Sequence, residues 1–215
     1  MRTVIKVEIK KANLGFKREP GKRRDTEGII VHHLAYEWDA TPQDIHAWHL
    51  ERGWIGGGYN LYVRRDGVVY EIRPIDAQGA HARGYNSTHL GVALEGHFNK
   101  EYPTDEQYIS LAKIINEQRD YHGRIPVTSH SDHAETSCPG QNFDWDRLQE
   151  ELNKMDEQKD YEYLGKAEIV QGEVRGEKAE GYLIDSTTYV PLRLVGEKMG
   201  HDISWDSETR TWRVE

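Results

Sequence analysis

Short apolar and β-branched runs recur along the first 150 positions, a pattern typical of strands that are buried in a sheet. The clearest runs are GIIVHH at 28–33 and LGVAL at 90–94. Arg65-Asp66-Gly67 is a turn signal between two further runs and predicts a hairpin. The predicted strands cover residues 3–9, 28–33, 59–64, 68–73, 90–94 and 125–128.

Helical spacing of apolar residues appears in three other segments. Thr41 as N-cap, followed by a proline at the first helical position, predicts a helix that continues up to residue 53. Thr104 caps a longer predicted helix that reaches residue 121 and carries an apolar stripe of Ile and Leu. A last helix is predicted over 145–152.

The character of the chain changes after residue 153. Residues 154–163 are charged and lack a firm apolar period, so we expect a linker there. The predicted elements beyond it are a strand over 181–184, a helix from Val190 to near Gly200, and a hairpin of 203–206 with 211–214. The sequence thus predicts a large domain over 1–153 and a small C-terminal domain over 164–215.

Composition narrows the classes of partner. The net charge is −9 with a pI near 5.7, which argues against a nucleic-acid binder, because such proteins carry a basic face. No apolar run approaches the length needed to cross a bilayer, so no membrane insertion is expected. The first 11 residues lack the apolar core of a signal peptide, so we expect the chain to be produced in the cytoplasm.

Three residues form a candidate metal site. His32 ends a predicted strand, His130 follows another, and Cys138, the single cysteine, lies eight positions later in a polar loop. Imidazole and thiolate are good zinc ligands, and three protein ligands leave a fourth position for water, as in catalytic sites. Periodicity alone does not establish that the three converge, and a histidine at a strand end can also be an ordinary surface or core residue.

Several motifs in a fixed order extend this interpretation. The blocks are Ile29–His33, Gly58–Val63 with Asp66-Gly67 following, Gly79–Ala82, Leu90–Leu94, and His130 with Thr136–Gly140. Together they resemble the type 2 family of N-acetylmuramoyl-L-alanine amidases, which includes peptidoglycan recognition proteins and small phage enzymes. The resemblance extends over roughly residues 25–150, and the stretch HARGYN at 81–86 is especially similar to the phage members.

The resemblance implies a fold, a cofactor and a substrate. The fold is α/β, with a mixed central β-sheet flanked by helices and a zinc ion at the floor of a groove. The family's zinc ligands correspond to His32, His130 and Cys138. The implied partner is peptidoglycan, cut at the lactyl amide between N-acetylmuramic acid and the L-alanine of the stem peptide.

Candidate catalytic residues come from the same resemblance. Tyr59 and Thr136 stand at positions where the family supplies hydrogen-bond donors to the reacting carbonyl. Some relatives carry a glutamate at the position of Ala93, whereas this chain has Glu95 two residues on and therefore on the same strand face. Glu95 is a candidate for assisting proton transfer, with a purely structural role as the alternative.

Other residues are candidates for the substrate groove or for the metal. Family position suggests Trp54, His81 and Asn86 for the groove, with packing or simple exposure as the alternative. His33 is not expected to bind metal, because adjacent strand residues face opposite ways. His133 could mimic a ligand pair with the histidine three residues before it, but the family spacing to the cysteine favours the earlier residue.

The C-terminal segment resembles a second family. Thr188–Arg193, Trp205-Asp206 and Thr209–Thr211 are similar to the small domain at the N-terminus of copper amine oxidases. The resemblance implies a small α+β module without copper chemistry, since the segment holds a single histidine, His201. Attachment to the cell wall and self-association into a homo-oligomer are the expected roles, with passive stabilisation as the alternative.

The leading hypothesis is a zinc amidase that cuts peptidoglycan as a phage or prophage endolysin, acting on the wall after its release from the producing cell. A host wall enzyme is a variant of it. The main alternative is a recognition module that binds peptidoglycan without cleaving it. Such modules typically lack the cysteine ligand, so Cys138 favours the enzyme. A histidine-rich metal nuclease is disfavoured by the acidic balance.

Overall fold

The computed structural model describes residues 7–164, 168–174, 177–184, 187–189, 203–206 and 211–214. The chain forms two compact units, one of Val4–Asp156 and one of Glu157–Glu215 together with Met1–Thr3. Within the described residues, no helix has both the length and the apolar character of a membrane span.

The larger unit is built on a six-stranded mixed sheet. Its strands are β1 (Ile9–Lys11), β2 (Gly28–His33), β3 (Leu61–Val63), β4 (Val69–Glu71), β5 (His89–Leu94) and β6 (Val127–Ser129). The order is β1-β4-β3-β5-β2-β6, and every neighbouring pair is parallel except the β3–β4 hairpin. The predicted α/β class with a mixed central sheet is confirmed.

Two of the predicted helix starts are confirmed in detail. The helices are α1 (Pro42–Glu51), α2 (Asp105–His122) and α3 (Trp145–Leu164), and a short 3₁₀ helix covers His130–Asp132. The hydroxyls of Thr41 and Thr104 both accept a backbone N–H from the third helical residue, which completes a capping box at each start.

The sheet separates two apolar cores. On one face, β2, β3 and β5 pack against α2 and α3 through residues such as Val31, Leu111 and Leu148. On the other face, Tyr62 and Ala93 pack with Ile45 of α1. Because side chains alternate along a strand, the side chain of His32 points away from the face of Val31 and lies on this second face, where His32 is in register with Ala93.

Two elements differ from the sequence predictions. Strand β1 covers Ile9–Lys11, because these are the residues that pair with Val69–Glu71 at the sheet edge, and it continues past the predicted end at residue 9. Residues 3–6 of the predicted strand 3–9 lie outside the described part of the chain. Helix α3 continues to Leu164, past its predicted end at residue 152 and through the predicted linker 154–163. Its Lys, Glu, Gln and Asp residues include strong helix formers, and it holds no glycine or proline to end the helix.

The smaller unit contains two antiparallel sheets in its described residues. One is β7 (Glu168–Val174), β8 (Glu177–Ile184) and β9 (Thr187–Tyr189), and the other is the hairpin of β10 (Ile203–Asp206) with β11 (Thr211–Val214). The predicted strand at 181–184 and the hairpin are confirmed. The predicted helix from Val190 to Gly200 lies outside the described residues.

Candidate metal centre

Three side chains that are far apart in the sequence meet beside strand β2. His32 comes from β2, His130 from the 3₁₀ helix that follows β6, and Cys138 from the next loop. One ligand atom of each lies within 4.8 Å of the others, and no other group of at least three such residues was found among the described residues. The predicted convergence is therefore present in the fold.

The spacing and the donor set fit a zinc ion. Zinc bonds of about 2.1 Å to nitrogen and about 2.3 Å to sulfur at tetrahedral angles place the two donor atoms about 3.6 Å apart. His32 Nδ1 lies 3.7 Å from Cys138 Sγ. Two imidazoles and a thiol are also the donor types that zinc prefers, so the residues present suit this metal.

Local hydrogen bonds fix the two loop ligands relative to each other. Ser129 caps the 3₁₀ helix: its hydroxyl accepts the Asp132 N–H, and the Asp132 carboxylate accepts the Ser129 N–H. The Ser131 N–H donates to the Cys138 carbonyl oxygen over 2.9 Å, which ties the loop of the cysteine to the turn of His130. The ligand geometry thus depends on backbone contacts that are already formed.

The electrostatics keep both histidines uncharged. Burial, helped by the nearby His81 and His130, holds the pKa of His32 well below its usual value. Burial also lowers the pKa of His130. Burial raises the pKa of Cys138 to about 12, although a hydrogen bond from His33 opposes this shift. Neutral imidazoles have a free lone pair, and ligation by a metal deprotonates a thiol.

Tyr59 lies beside the metal centre. Its ring centroid is 5.1 Å from that of His32, and its side chain is half-buried. Burial is the main cause that raises the pKa of Tyr59 well above its usual value, and Cys138 adds to the shift. The phenol therefore remains protonated at neutral pH and can donate a hydrogen bond.

Thr136 is exposed on the loop that carries the cysteine. Its Oγ1 accepts the Cys138 N–H over 3.3 Å, which is the local backbone contact that hydroxyl residues favour in loops. Because the oxygen accepts in this contact, the hydroxyl proton is left to donate elsewhere.

A row of aromatic rings leads from the surface to the centre. Trp54, whose side chain is 38% exposed, stacks on His49 with centroids 4.6 Å apart. The His49 ring is in turn 5.6 Å from Tyr59. His49 Nδ1 accepts the Gly58 N–H, which holds α1 against the segment before β3. The helical spacing of residues 42–53 includes His49 but does not show that its ring contacts Trp54 and Tyr59.

His81 and Asn86 make contacts within the fold that bear on their proposed place in the groove. His81 is buried, and its Nδ1 lies 3.0 Å from His32 Nε2, behind the metal ligand and not in an open groove. The Asn86 Oδ1 accepts the backbone N–H groups of His81 and Ala82, so this side chain organises the loop. The family resemblance suggested both residues for the groove, but these contacts become visible only in the folded loop.

Glu95 is engaged by structural partners. Its side chain is 1% exposed; Oε1 accepts the Ala40 N–H over 2.7 Å, and Oε2 accepts the Arg65 N–H over 2.9 Å. The Arg64 Nε lies 3.5 Å from the same Oε2. These contacts favour the structural alternative over a role in proton transfer.

The two histidines set aside as ligands lie elsewhere. His33 Nδ1 accepts the Phe98 N–H, on the opposite face of β2 from the metal centre. His133 Nε2 lies 2.8 Å from Thr128 Oγ1, and its ring is 4.0 Å from that of Tyr85. Neither belongs to the cluster of three ligands, as the sequence analysis expected.

Relatives of the chain carry the same domain. The endolysin of Enterobacteria phage K11 is 37% identical over 133 residues, which cover 59% of this chain and 87% of the relative. Peptidoglycan-recognition protein SC2 of Drosophila melanogaster is 32% identical over 131 residues, covering 55% and 70%. The solved structure of the endolysin N-acetylmuramoyl-L-alanine amidase LysCS from Clostridium intestinale URNW matches with a TM-score of 0.66 and 34% identity, covering 69% of this chain and 97% of that one.

Family models assign both parts of the sequence. The model described as copper amine oxidase N-terminal domain matches residues 140–215, in agreement with the resemblance of the C-terminal segment. The model described as N-acetylmuramoyl-L-alanine amidase matches residues 22–141, which include all three candidate ligands. The chain belongs to the N-acetylmuramoyl-L-alanine amidase family.

Proposed function

We propose that this chain hydrolyses the amide bond between N-acetylmuramic acid and L-alanine in peptidoglycan, with a zinc ion held by His32, His130 and Cys138. The observation that carries the proposal is the meeting of these three donors at zinc-like spacing in a chain of the amidase family. When bound, zinc polarises a carbonyl and lowers the pKa of a coordinated water from about 15.7 to about 7.

The side chains around the ligands supply hydrogen bonds. Tyr59 is protonated at neutral pH and lies beside His32, so it donates to the carbonyl oxygen as negative charge develops there. Thr136 has a hydroxyl proton available next to Cys138 and is the second donor. Loss of one such donor typically reduces the rate about 10²- to 10³-fold.

The aromatic row of Trp54, His49 and Tyr59 is the proposed contact surface for the muramyl peptide. A half-exposed tryptophan offers a flat apolar face, and its stacking on His49 restrains its orientation before the substrate binds. Binding at this aromatic surface brings the scissile amide towards Tyr59 and the proposed metal ligands. His81 and Asn86 take no direct part, because their polar atoms face His32 and the loop backbone.

Proton transfer does not use Glu95 in this proposal. The carboxylate accepts two backbone N–H groups and contacts Arg64, and these contacts would have to break before it could act as a base. The proposed polar groups at the reacting centre are therefore Tyr59 and Thr136.

A non-catalytic recognition module is the second candidate function. Relatives that are peptidoglycan-recognition proteins make binding of wall fragments a reasonable alternative. The presence of Cys138 within 3.7 Å of the imidazole of His32 favours catalysis, because a thiol ligand completes the open three-ligand set of hydrolytic zinc sites.

The deciding experiment analyses the products from purified Gram-positive walls. The zinc-loaded chain is expected to release new amino-terminal L-alanine without new reducing sugar ends, and a chelator is expected to stop this until zinc is restored. New reducing ends would mean that a glycosidic bond is cut. Wall binding without any new ends would support the recognition module and contradict the proposal.

The C-terminal segment is proposed to attach the enzyme to the wall, with self-association as the alternative. The family match over 140–215 marks it as a distinct module. The full chain and a chain ending at Asp156 are compared for co-sedimentation with walls and for sedimentation velocity. Lower wall binding by the shorter chain, with the full and the shorter chain both sedimenting as monomers, supports attachment. A full chain that sediments as a dimer, with equal wall binding by both, supports self-association.

A further inference from the structure

His81 lies directly behind the ligand His32. The two rings meet edge to face, with centroids 5.0 Å apart and planes inclined at 83°. The His81 Nδ1 is 3.0 Å from His32 Nε2, the ring nitrogen of His32 that does not face Cys138. The far side of a metal ligand is where supporting groups act on its orientation.

The carbonyl of His89 determines the direction of the hydrogen bonds that connect it through His81 to His32. A carbonyl oxygen only accepts, so His81 Nε2, 3.2 Å away, carries a proton and donates to it. In a neutral ring, His81 Nδ1 is then an acceptor and receives the proton of His32 Nε2. His32 Nδ1 therefore keeps its lone pair, and this is the atom that faces Cys138 Sγ at 3.7 Å.

Two glycines leave room for the ring of His81. A Cβ added at Gly79 would lie 2.3 Å from the ring, and one added at Gly91 of β5 would lie 2.4 Å from it. Both glycines thus allow the backbone to approach the ring closely. On the main-chain side, Asn86 Oδ1 holds the His81 N–H over 2.7 Å. These separate contacts all restrict the ring to the position behind His32.

We propose that His81 is a positioning residue of the metal centre, which holds His32 with Nδ1 directed at the metal and takes no part in contacting the substrate. The proposal rests on the proposed function for the identity of the metal. The supporting groups of a zinc ligand typically contribute about 10- to 100-fold to metal affinity. Gly79, Gly91 and Asn86 serve the same end by fixing the ring.

Two variants with an amide side chain at position 81 distinguish a role in orienting His32 from a role in filling space. In His81→Asn, the amide occupies roughly the place of Nδ1 and can still accept from His32. In His81→Gln, it reaches the place of Nε2 and contacts the His89 carbonyl oxygen instead. Zinc affinity is measured by competition with a chromophoric chelator, and folding of the metal-free proteins is followed by circular dichroism.

We expect His81→Gln to weaken zinc binding about 10- to 100-fold, and His81→Asn to recover most of that loss. Equal affinity of both variants and the unchanged chain would overturn the proposal. An equal loss in both variants would also overturn it, because the ring would then act only by filling space. If the unchanged chain binds zinc but cuts no wall, the proposed function fails while this test still applies.

A measurement on the unchanged chain avoids the question of whether a variant folds. Long-range ¹H–¹⁵N correlation spectra of the metal-free, ¹⁵N-labelled protein identify the protonated nitrogen of each imidazole. We expect His32 and His81 both to carry their proton on Nε2. A proton on Nδ1 of His32 would contradict the proposal, since that atom could not then be the one prepared for the metal.

Discussion

The backbone N–H of His33 donates to Cys138 Sγ over 3.4 Å, so the residue next to one metal ligand holds the sulfur of another. The contact joins strand β2 to the loop after the 3₁₀ helix, across 105 positions of sequence. It also lowers the pKa of the thiol, against the larger effect of burial that raises it to about 12. The sulfur is thus placed for ligation before it loses its proton.

Zinc binding should release the thiol proton of Cys138. Its pKa in the metal-free protein is about 12, so the thiol is protonated near neutrality, whereas burial keeps the two histidines neutral. Below the thiol pKa, zinc affinity should rise about tenfold per pH unit, because protons compete for one ligand. Calorimetry between pH 7 and 8, in buffers of different ionisation enthalpy, should show release of the thiol proton on zinc binding. No proton release would contradict a thiol ligand.

His130→Ala and His133→Ala form a matched pair three residues apart. His130 belongs to the ligand cluster, whereas His133 contacts Thr128 and Tyr85. We expect His130→Ala to lose bound zinc and wall hydrolysis together, and His133→Ala to keep one zinc per chain. Metal content by mass spectrometry and the rate of L-alanine exposure test this. Loss of zinc in His133→Ala alone would mean that the wrong histidine has been assigned.

Tyr59→Phe removes a hydroxyl and keeps the ring. We expect kcat to fall about 10²- to 10³-fold with zinc content unchanged, because the donor acts on developing charge and not on the metal. Tyr36→Phe is the control, since Tyr36 is partly buried against the second core and its ring contacts those of Trp38 and Trp48. Equal kcat values for Tyr59→Phe and the unchanged chain would remove Tyr59 from the mechanism.

Glu95→Gln tests whether the buried carboxylate is structural. The variant loses charge-assisted hydrogen bonds to two backbone N–H groups, so we expect the free energy of unfolding to fall by about 2–3 kcal/mol. The folded protein should keep its kcat within a few-fold. Urea unfolding and initial rates at low temperature measure the two effects. Unchanged stability with a rate loss of about 10²-fold or more would instead make Glu95 a general base.

Local patterns predicted much of the fold because they reflect local physics. The alternation in β2 placed His32 and His33 on opposite faces, and the capping residues Thr41 and Thr104 located two helix starts. The end of α3 was missed, because a charged segment without apolar period is stable as a helix when its intrinsic propensity is high.

The site was predictable only in part. Ordered family motifs identified the residues of the cluster, and the fold brings His32, His130 and Cys138 together as that resemblance implied. The contacts of His81 and Glu95 were not predictable, because each depends on partners brought near by folding and not by sequence spacing. The glycines beside the ring of His81 were visible in the sequence, but their purpose follows only from the close approach.

We propose that one zinc ion, held by His32, His130 and Cys138, makes this chain an amidase. The most direct test titrates the metal-free protein with zinc while counting new L-alanine amino termini released from walls. We expect activity to rise in proportion to zinc and to stop rising at one equivalent per chain, and Cys138→Ala to stay inactive throughout. Full activity in the metal-free protein, or in Cys138→Ala, would contradict it.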